Sequence, residues 1–258
     1  MPAQNIDLLL IYPPIAKPAE QPAGVAQIKQ AMRANGRTCH VIDANIEAQL
    51  FLINGITAAD TPRLTSALGN RAKNLATIRN ISTFNKFDHY KRSVLETNRL
   101  LSLAGAPFNA EISFTNFKQQ EFSPVRSDDL LKAAKEPEKN PFFSYFKEIL
   151  FERITDLDPK YVGISLIYLS QAVTSFALIG FLRRYFPEIK IILGGGLITS
   201  WMSHPGWHNP FRGLVDYCFA GRGEQSILNL FDIKIENTAF HPAYGDNNDD
   251  YFSPGQVL

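Results

Sequence analysis

Three consecutive glycines, Gly194, Gly195 and Gly196, are the residues of this chain that speak most directly of a ligand. Three missing side chains let backbone approach a bulky molecule closely, whereas a tight turn of positive φ needs only one glycine. Thr199 and Ser200 follow within reach of the same ligand. A second pair, Gly221 and Gly223, precedes Glu224. It is not the dinucleotide fingerprint, because the third glycine is missing and the pair follows the last strand, not the first. Its glycines and Glu224 could hold a ribose or another hydroxyl group at a helix start; a plain helix cap would explain Glu224 equally well. Ser165, Tyr168, Ser170 and Gln171 offer neutral polar groups suited to amides, and the stretch from Pro13 and Pro14 to Gly24 is rich in proline and poor in charge. Neither stretch resembles a phosphate cradle. No nucleophile elbow and no Ser-His-Asp order is present, so no catalytic residue is assigned.

Metal chemistry finds little purchase. The two cysteines, Cys39 and Cys218, form neither a metal motif nor a disulfide framework, and a cluster needing three closely spaced thiolates cannot be built from them. The one Asp-His pair, Asp88 and His89, is adjacent. His204 and His208 lie beside Trp201 and Trp207 and read as packing or surface groups, so no metal ligand is assigned.

The elements that must position these residues alternate strand and helix. Ile6 to Tyr12 is a short, almost continuous apolar run, as a strand buried on both faces requires, and Pro13 and Pro14 end it. A helix fits Pro22 to Asn35, with Val25, Ile28 and Met32 on one face and Gly36 as its stop. Thr38 to Asp43 reads as a second strand. The pattern resumes with a strand at Tyr161 to Ser165, a helix from Gln171 to Phe186 facing inward through Val173, Phe176, Ala177, Gly180 and Phe181, a strand at Ile189 to Leu193 and a fifth at Leu214 to Phe219. Five strands alternating with helices predict an α/β fold: a doubly wound, flavodoxin-like parallel sheet of order 2-1-3-4-5. Ligands in such sheets bind at the carboxyl ends of the strands where the order reverses, here between the first and third.

Between the second and third strands lies a long helical insertion, about 51–158. Helices are expected over Pro62 to Asn80, Lys86 to Leu103, from Asp128 with Ser127 as cap, and from Asn140 and Pro141 to Asp156. Insertions of this length usually serve an interface or a lid, so a homodimer through it is one expectation. Phe84, Phe87, Phe108, Phe114, Phe117 and Phe122 could line such a surface, or simply pack the insertion onto the sheet.

Lys and Arg number 26 against 25 Asp and Glu, with no long basic run, which argues against a broad nucleic-acid or anionic-membrane surface. The apolar runs are too short to span a bilayer, and Asp7 within the first of them, without a basic leader, does not fit a signal peptide. The expected compartment is the cytoplasm, with neither nucleic acid nor membrane as a partner.

Taken in order, Tyr12, Pro13 and Pro14, Gly24 and the helix to Gly36, Asp43 with Asn45, Gly163 to Ser165, Gln171, Pro187, the glycine run, Asp216 with Tyr217, and Gly221 to Glu224 resemble the cobalamin-binding domain of the cobalamin-dependent radical SAM enzymes. The likeness covers both ends of the chain and leaves out the insertion. It implies a cobalamin-binding domain over 1–236 and a linker over 237–258, since Tyr251 to Leu258 resembles the approach to a radical SAM domain; its CxxxCxxC cluster motif is not in this chain. The iron–sulfur cluster and S-adenosylmethionine are expected only in that other domain, which would be the partner of this one. The glycine run would then face the nucleotide tail and the loops after the first and third strands the corrin. In this family the cofactors serve methyl transfer or rearrangement. The Asp-x-His-x-x-Gly motif that supplies a histidine to cobalt in methionine synthase-like domains is missing, so the resemblance implies cobalt without a protein histidine on its lower face. Three rivals remain: a stand-alone cobalamin carrier or sensor, a small-ligand α/β transferase or hydrolase using Ser165 and Glu224, and a flavodoxin-like protein-binding module.

Overall fold

The computed structural model describes residues 4–20 and 22–233. The expected linker at 237–258 lies outside the described residues, as does the Phe84 side chain. The strands are β1 (Leu8–Ile11), β2 (Cys39–Ile42), β3 (Ala110–Ile112), β4 (Phe117–Gln119), β5 (Tyr161–Ser165), β6 (Lys190–Gly194) and β7 (Tyr217–Phe219). Five of them form an all-parallel sheet of order β2-β1-β5-β6-β7, so the chain is an α/β protein of the doubly wound, flavodoxin-like type. The helices are α1 (Ala23–Ala34), α2 (Ala44–Gly55), α3 (Pro62–Gly69), α4 (Arg71–Arg79), α5 (Phe87–Gly105), α6 (Ser127–Lys135), α7 (Phe143–Tyr145), α8 (Phe151–Leu157), α9 (Leu169–Tyr185), α10 (Gly196–Met202) and α11 (Gly223–Asn229).

Alternation along β1 explains the two layers. Leu8 and Leu10 point to a core shared with Val25 and Met32 of α1 and Ile227 and Leu228 of α11. Leu9 and Ile11 point to the opposite core, where α9 lies with Phe176, Phe181 and Leu182. That second core runs on without a break into the insertion, through Leu130, Phe142, Tyr145 and Phe146. Helix α9 is therefore covered by the sheet on one side and by the insertion on the other, and every residue from Gln171 to Leu182 is buried. At the crossing with α6, a Cβ on Gly180 would lie 1.8 Å from the Ala134 carbonyl oxygen, so only glycine permits this approach.

Several expected boundaries move, each for a local reason. The helix expected over Pro62 to Asn80 is two helices, α3 and α4, which part at Asn70, whose side chain bonds back to the Ser66 carbonyl. Ser127 is not a cap: α6 begins on it, after Arg126, and the Asp129 carboxylate accepts from the Ser123 amide. The segment expected from Asn140 starts at Phe143, because the Asn140 side chain accepts from the Phe142 amide, and it runs to Leu157 with a π-helical stretch, Phe146–Leu150. The last strand is only Tyr217–Phe219, because the Asp216 carboxylate takes the Ile191 amide at 2.8 Å and pairs with Arg183, ending the ladder. The antiparallel hairpin β3–β4 has no counterpart in the sequence reading; three residues per strand are too few to show a period. Of the insertion's phenylalanines, Phe117 and Phe122 are buried, Phe108 and Phe114 pack against the core, and Phe87 is exposed.

Candidate functional site

The loops after β1, β5, β6 and β7 meet along the carboxyl edge of the sheet, and hydrogen bonds tie each to its neighbour. Beyond β1 the chain runs through Tyr12, Pro13, Pro14, Ile15 and Ala16, all buried. Polar side chains from two helices hold this stretch by its backbone. The Gln171 amide donates to the Pro13 carbonyl at 2.7 Å, and the Ser170 hydroxyl donates to the Ile15 carbonyl at 2.7 Å. On the other side Asn45, 1% exposed, accepts from the Ala16 amide at 2.8 Å and donates to its carbonyl at 3.0 Å, as an adjacent strand would. Gln49 donates to the same Asn45 oxygen at 2.9 Å. Asp43 caps α2 by accepting from the Ile46 amide, and burial raises its pKa. Burial first, and then Tyr168, Asp43 and Glu20 nearby, push the Tyr12 phenol up to about 12, so it stays neutral.

The sequence reading assigned Ser170, Gln171, Tyr168 and Thr199 to a ligand; the structure gives each a protein partner. Gln171 also accepts from the Ile167 and Tyr168 amides, both at 3.0 Å. The Tyr168 hydroxyl donates to Glu20 at 2.6 Å, joining the loops after β1 and β5 across the switch point; Glu20 is also paired with Lys17. Thr199 donates to the Gly195 carbonyl at 3.0 Å and accepts from the Gly221 amide at 2.9 Å, linking the loops after β6 and β7. Pro13 and Pro14 are buried behind the rim, and Gly24 is exposed on the first turn of α1. Ser165 is half-buried at the end of β5, in register with Gly194. Glu224 stands in the first turn of α11, and Gly223 beside it brings that helix against Ile28 of α1. His204 and His208 are tied to the backbone of Gly206 in an exposed loop.

The glycine run divides into one structural glycine and two others. Gly195 has φ +111°, and a Cβ on it would lie 2.4 Å from the Leu166 carbonyl oxygen. Hydrogen bonds from Leu166 N to Gly194 O at 2.7 Å and from Leu197 N to Leu166 O at 3.2 Å hold the two loops this close. Gly194 and Gly196 are different. A Cβ on Gly194 would meet Phe219 at 3.5 Å, and one on Gly196 would meet Ile167 at 3.8 Å, both ordinary contacts. Among the described residues, nothing demands glycine at either place.

Tyr12 and Asn45 entered the sequence reading only as part of the resemblance, and Gln49 not at all; none was assigned to the site, because their partners are backbone groups and neighbours on other elements. The Asn45→Ala variant is expected to lose about 2–4 kcal/mol of unfolding free energy, since it strands the Ala16 amide and carbonyl in a buried setting. Urea unfolding measures this; a loss below about 0.5 kcal/mol would mean that the loop holds itself.

Among the described residues, no group of three or more His, Cys, Asp or Glu is placed to hold a metal ion. No described helix is long and apolar enough to cross a membrane. Burial pushes both thiols up, Cys39 to about 11 and Cys218 to about 12. Comparison with protein-family models, curated proteins and solved structures finds no match.

Proposed function

We propose that the carboxyl edge of this sheet binds cobalamin and presents it to a separate iron–sulfur, S-adenosylmethionine-binding domain. The observation that carries this reading is the bare backbone at Gly194 and Gly196, which no contact among the described residues requires and which lies one strand beyond the reversal of strand order. The residues present fit a large ligand fringed with neutral amides. Gly196 is exposed, Ser165 is half-buried beside Gly194, and Lys17 and Glu20 at the rim pair with each other. Ser165, Gly194, Gly196, Gly221 and Glu224 would line the site, with Pro13 and Pro14 behind it. When bound, the corrin would supply methyl transfer or a rearrangement, which is the cofactor's chemistry; the chain's part is to bind and orient it. Asn45, Ser170 and Gln171 act at one remove, by fixing the loop after β1. The transferase or hydrolase reading needs a base bonded to Ser165, and no such bond occurs among the described residues.

An ultraviolet–visible titration of the chain with hydroxocobalamin, followed by desalting, tests the proposal. One corrin retained per chain is the expected result. If neither this chain nor a longer one carrying the iron–sulfur domain retained corrin absorbance, the reading would be overturned.

A further inference from the structure

The insertion carries a feature that the ligand site does not use. Helices α4 and α5 pack side by side as a hairpin, joined by the short 3-10 segment Ile81–Asn85. The deep end of α5 enters the core through Leu100 and Leu101. Between Leu75 and Leu100, however, no described residue belongs to the hydrophobic core. The facing side chains there are polar, with Asn74, Ser93 and Thr97 buried and Asn74 donating to Glu96 at 2.6 Å. The tip of the hairpin nonetheless displays two large apolar side chains, Ile81 at 82% exposure and Phe87 at 67%. Single exposed apolar residues need no explanation. Two at one tip, in a segment whose folding does not use them, point outward to something that does.

The charge around them says what it is. Residues 79–92 hold four basic side chains, Arg79, Lys86, Lys91 and Arg92, against one acidic, Asp88, while the rest of the chain holds 22 basic against 24 acidic. All four are exposed, and none is in an ion pair among the described residues. They fall at the end of α4, just before α5 and in its second turn, with other residues between, which is why no long basic run announces them. Protruding apolar side chains within a basic collar match an anionic bilayer: the apolar groups enter the boundary of the acyl region and the cations sit among the headgroups. A nucleic acid would use the cations, but Ile81, the most exposed large apolar side chain among the described residues, has no ring on which a base could stack. A second copy meeting the same patch across a two-fold axis would set like charges against each other.

We infer that the tip of the α4–α5 hairpin docks on an anionic lipid surface through Ile81 and Phe87, with Arg79, Lys86, Lys91 and Arg92 in the headgroup layer. This departs from the expectation of no membrane partner, which rested on the lack of a basic run. Docking of this kind lays the protein on the surface and needs no spanning helix.

Cosedimentation of the full chain with vesicles tests it, using phosphatidylcholine alone and phosphatidylcholine mixed with phosphatidylglycerol. Each basic residue at such a surface is worth roughly fivefold in binding. The expected result is sedimentation with the mixed vesicles only, weakening as salt rises. The Ile81→Ser/Phe87→Ser double variant and the Lys86→Glu/Lys91→Glu double variant should each bind at least about tenfold more weakly. Circular dichroism and hydroxocobalamin retention should be unchanged in both, so this test stands or falls separately from the corrin site. Val125→Ser, at an exposed apolar position elsewhere, should bind like the parent. Equal binding to neutral vesicles, binding kept by both double variants, or no vesicle binding would overturn the proposal. Capture on heparin that survives Ile81→Ser/Phe87→Ser, without vesicle binding, would overturn it in favour of a polyanion partner.

Discussion

The Gly196→Val variant is expected to keep its unfolding free energy to within about 1 kcal/mol and to bind hydroxocobalamin at least about tenfold more weakly, a change of about 1.4 kcal/mol. The first half follows from space: a Cβ at this position lies 3.8 Å from its nearest neighbour and the backbone has no positive φ. The second half follows from the proposed site, where the added side chain would stand between backbone and ligand. Gly195→Val makes the contrast. Its backbone is at φ +111°, and its Cβ would lie 2.4 Å from the Leu166 carbonyl oxygen, so the loops after β5 and β6 must separate. That variant should lose more than about 3 kcal/mol of stability and corrin binding together. Thermal unfolding and corrin titration on both variants separate the two roles. Should Gly196→Val bind corrin as tightly as the parent, the bare backbone would not be the ligand surface.

The largest loss of stability is expected from Gly180→Ala. One methyl group would be forced to within 1.8 Å of the Ala134 carbonyl oxygen and 2.6 Å of its carbon. Both atoms are backbone, so no rotamer change relieves the overlap, and α6 must move off α9. Overpacking usually costs about 1–3 kcal/mol; with rigid backbone on both sides, a loss above about 3 kcal/mol is expected here. Because the obstacle is a carbonyl, Ala134→Gly should not rescue the variant. Guanidinium unfolding of the single and double variants measures both statements. A loss within about 1 kcal/mol, or a rescue by Ala134→Gly, would mean that the helices are less closely apposed.

The parallel sheet was legible in the sequence because its central strands, β1 and β5, are buried on both faces and read as short apolar runs; β5 was read at Tyr161 to Ser165, as it stands. Helix α9 was legible as a helix but not in its setting. Its inward face was read from Val173, Phe176 and Gly180, yet Ala172, Leu178 and Ile179 are equally buried because the insertion covers the other side. A helix enclosed on all sides has no stripe to read. The site divides similarly. Glycine after a strand is visible in a sequence, but which of three glycines the packing demands depends on Leu166, about thirty residues earlier in the chain. Gln171 has the chemistry of a ligand-binding amide, and nothing local shows that the Pro13 carbonyl already occupies it. The four cations at the hairpin tip form no long run along the chain; only Lys91 and Arg92 are neighbours, and the turn between α4 and α5 brings Arg79 back toward them.

The clamp on the loop after β1 separates two kinds of constraint. Gln171, Ser170 and Asn45 grip carbonyls and an amide, groups that nearly any residue presents. The bonds themselves therefore place no demand on the loop's side chains, but burial does, since Tyr12 to Ala16 are all buried. The exposed part of the loop begins only at Lys17, beyond the clamp, where side chains can change without loosening the frame. Retuning the site toward a different ligand would begin at Lys17 to Ala19 and leave the buried stretch and Asn45, Ser170 and Gln171 in place.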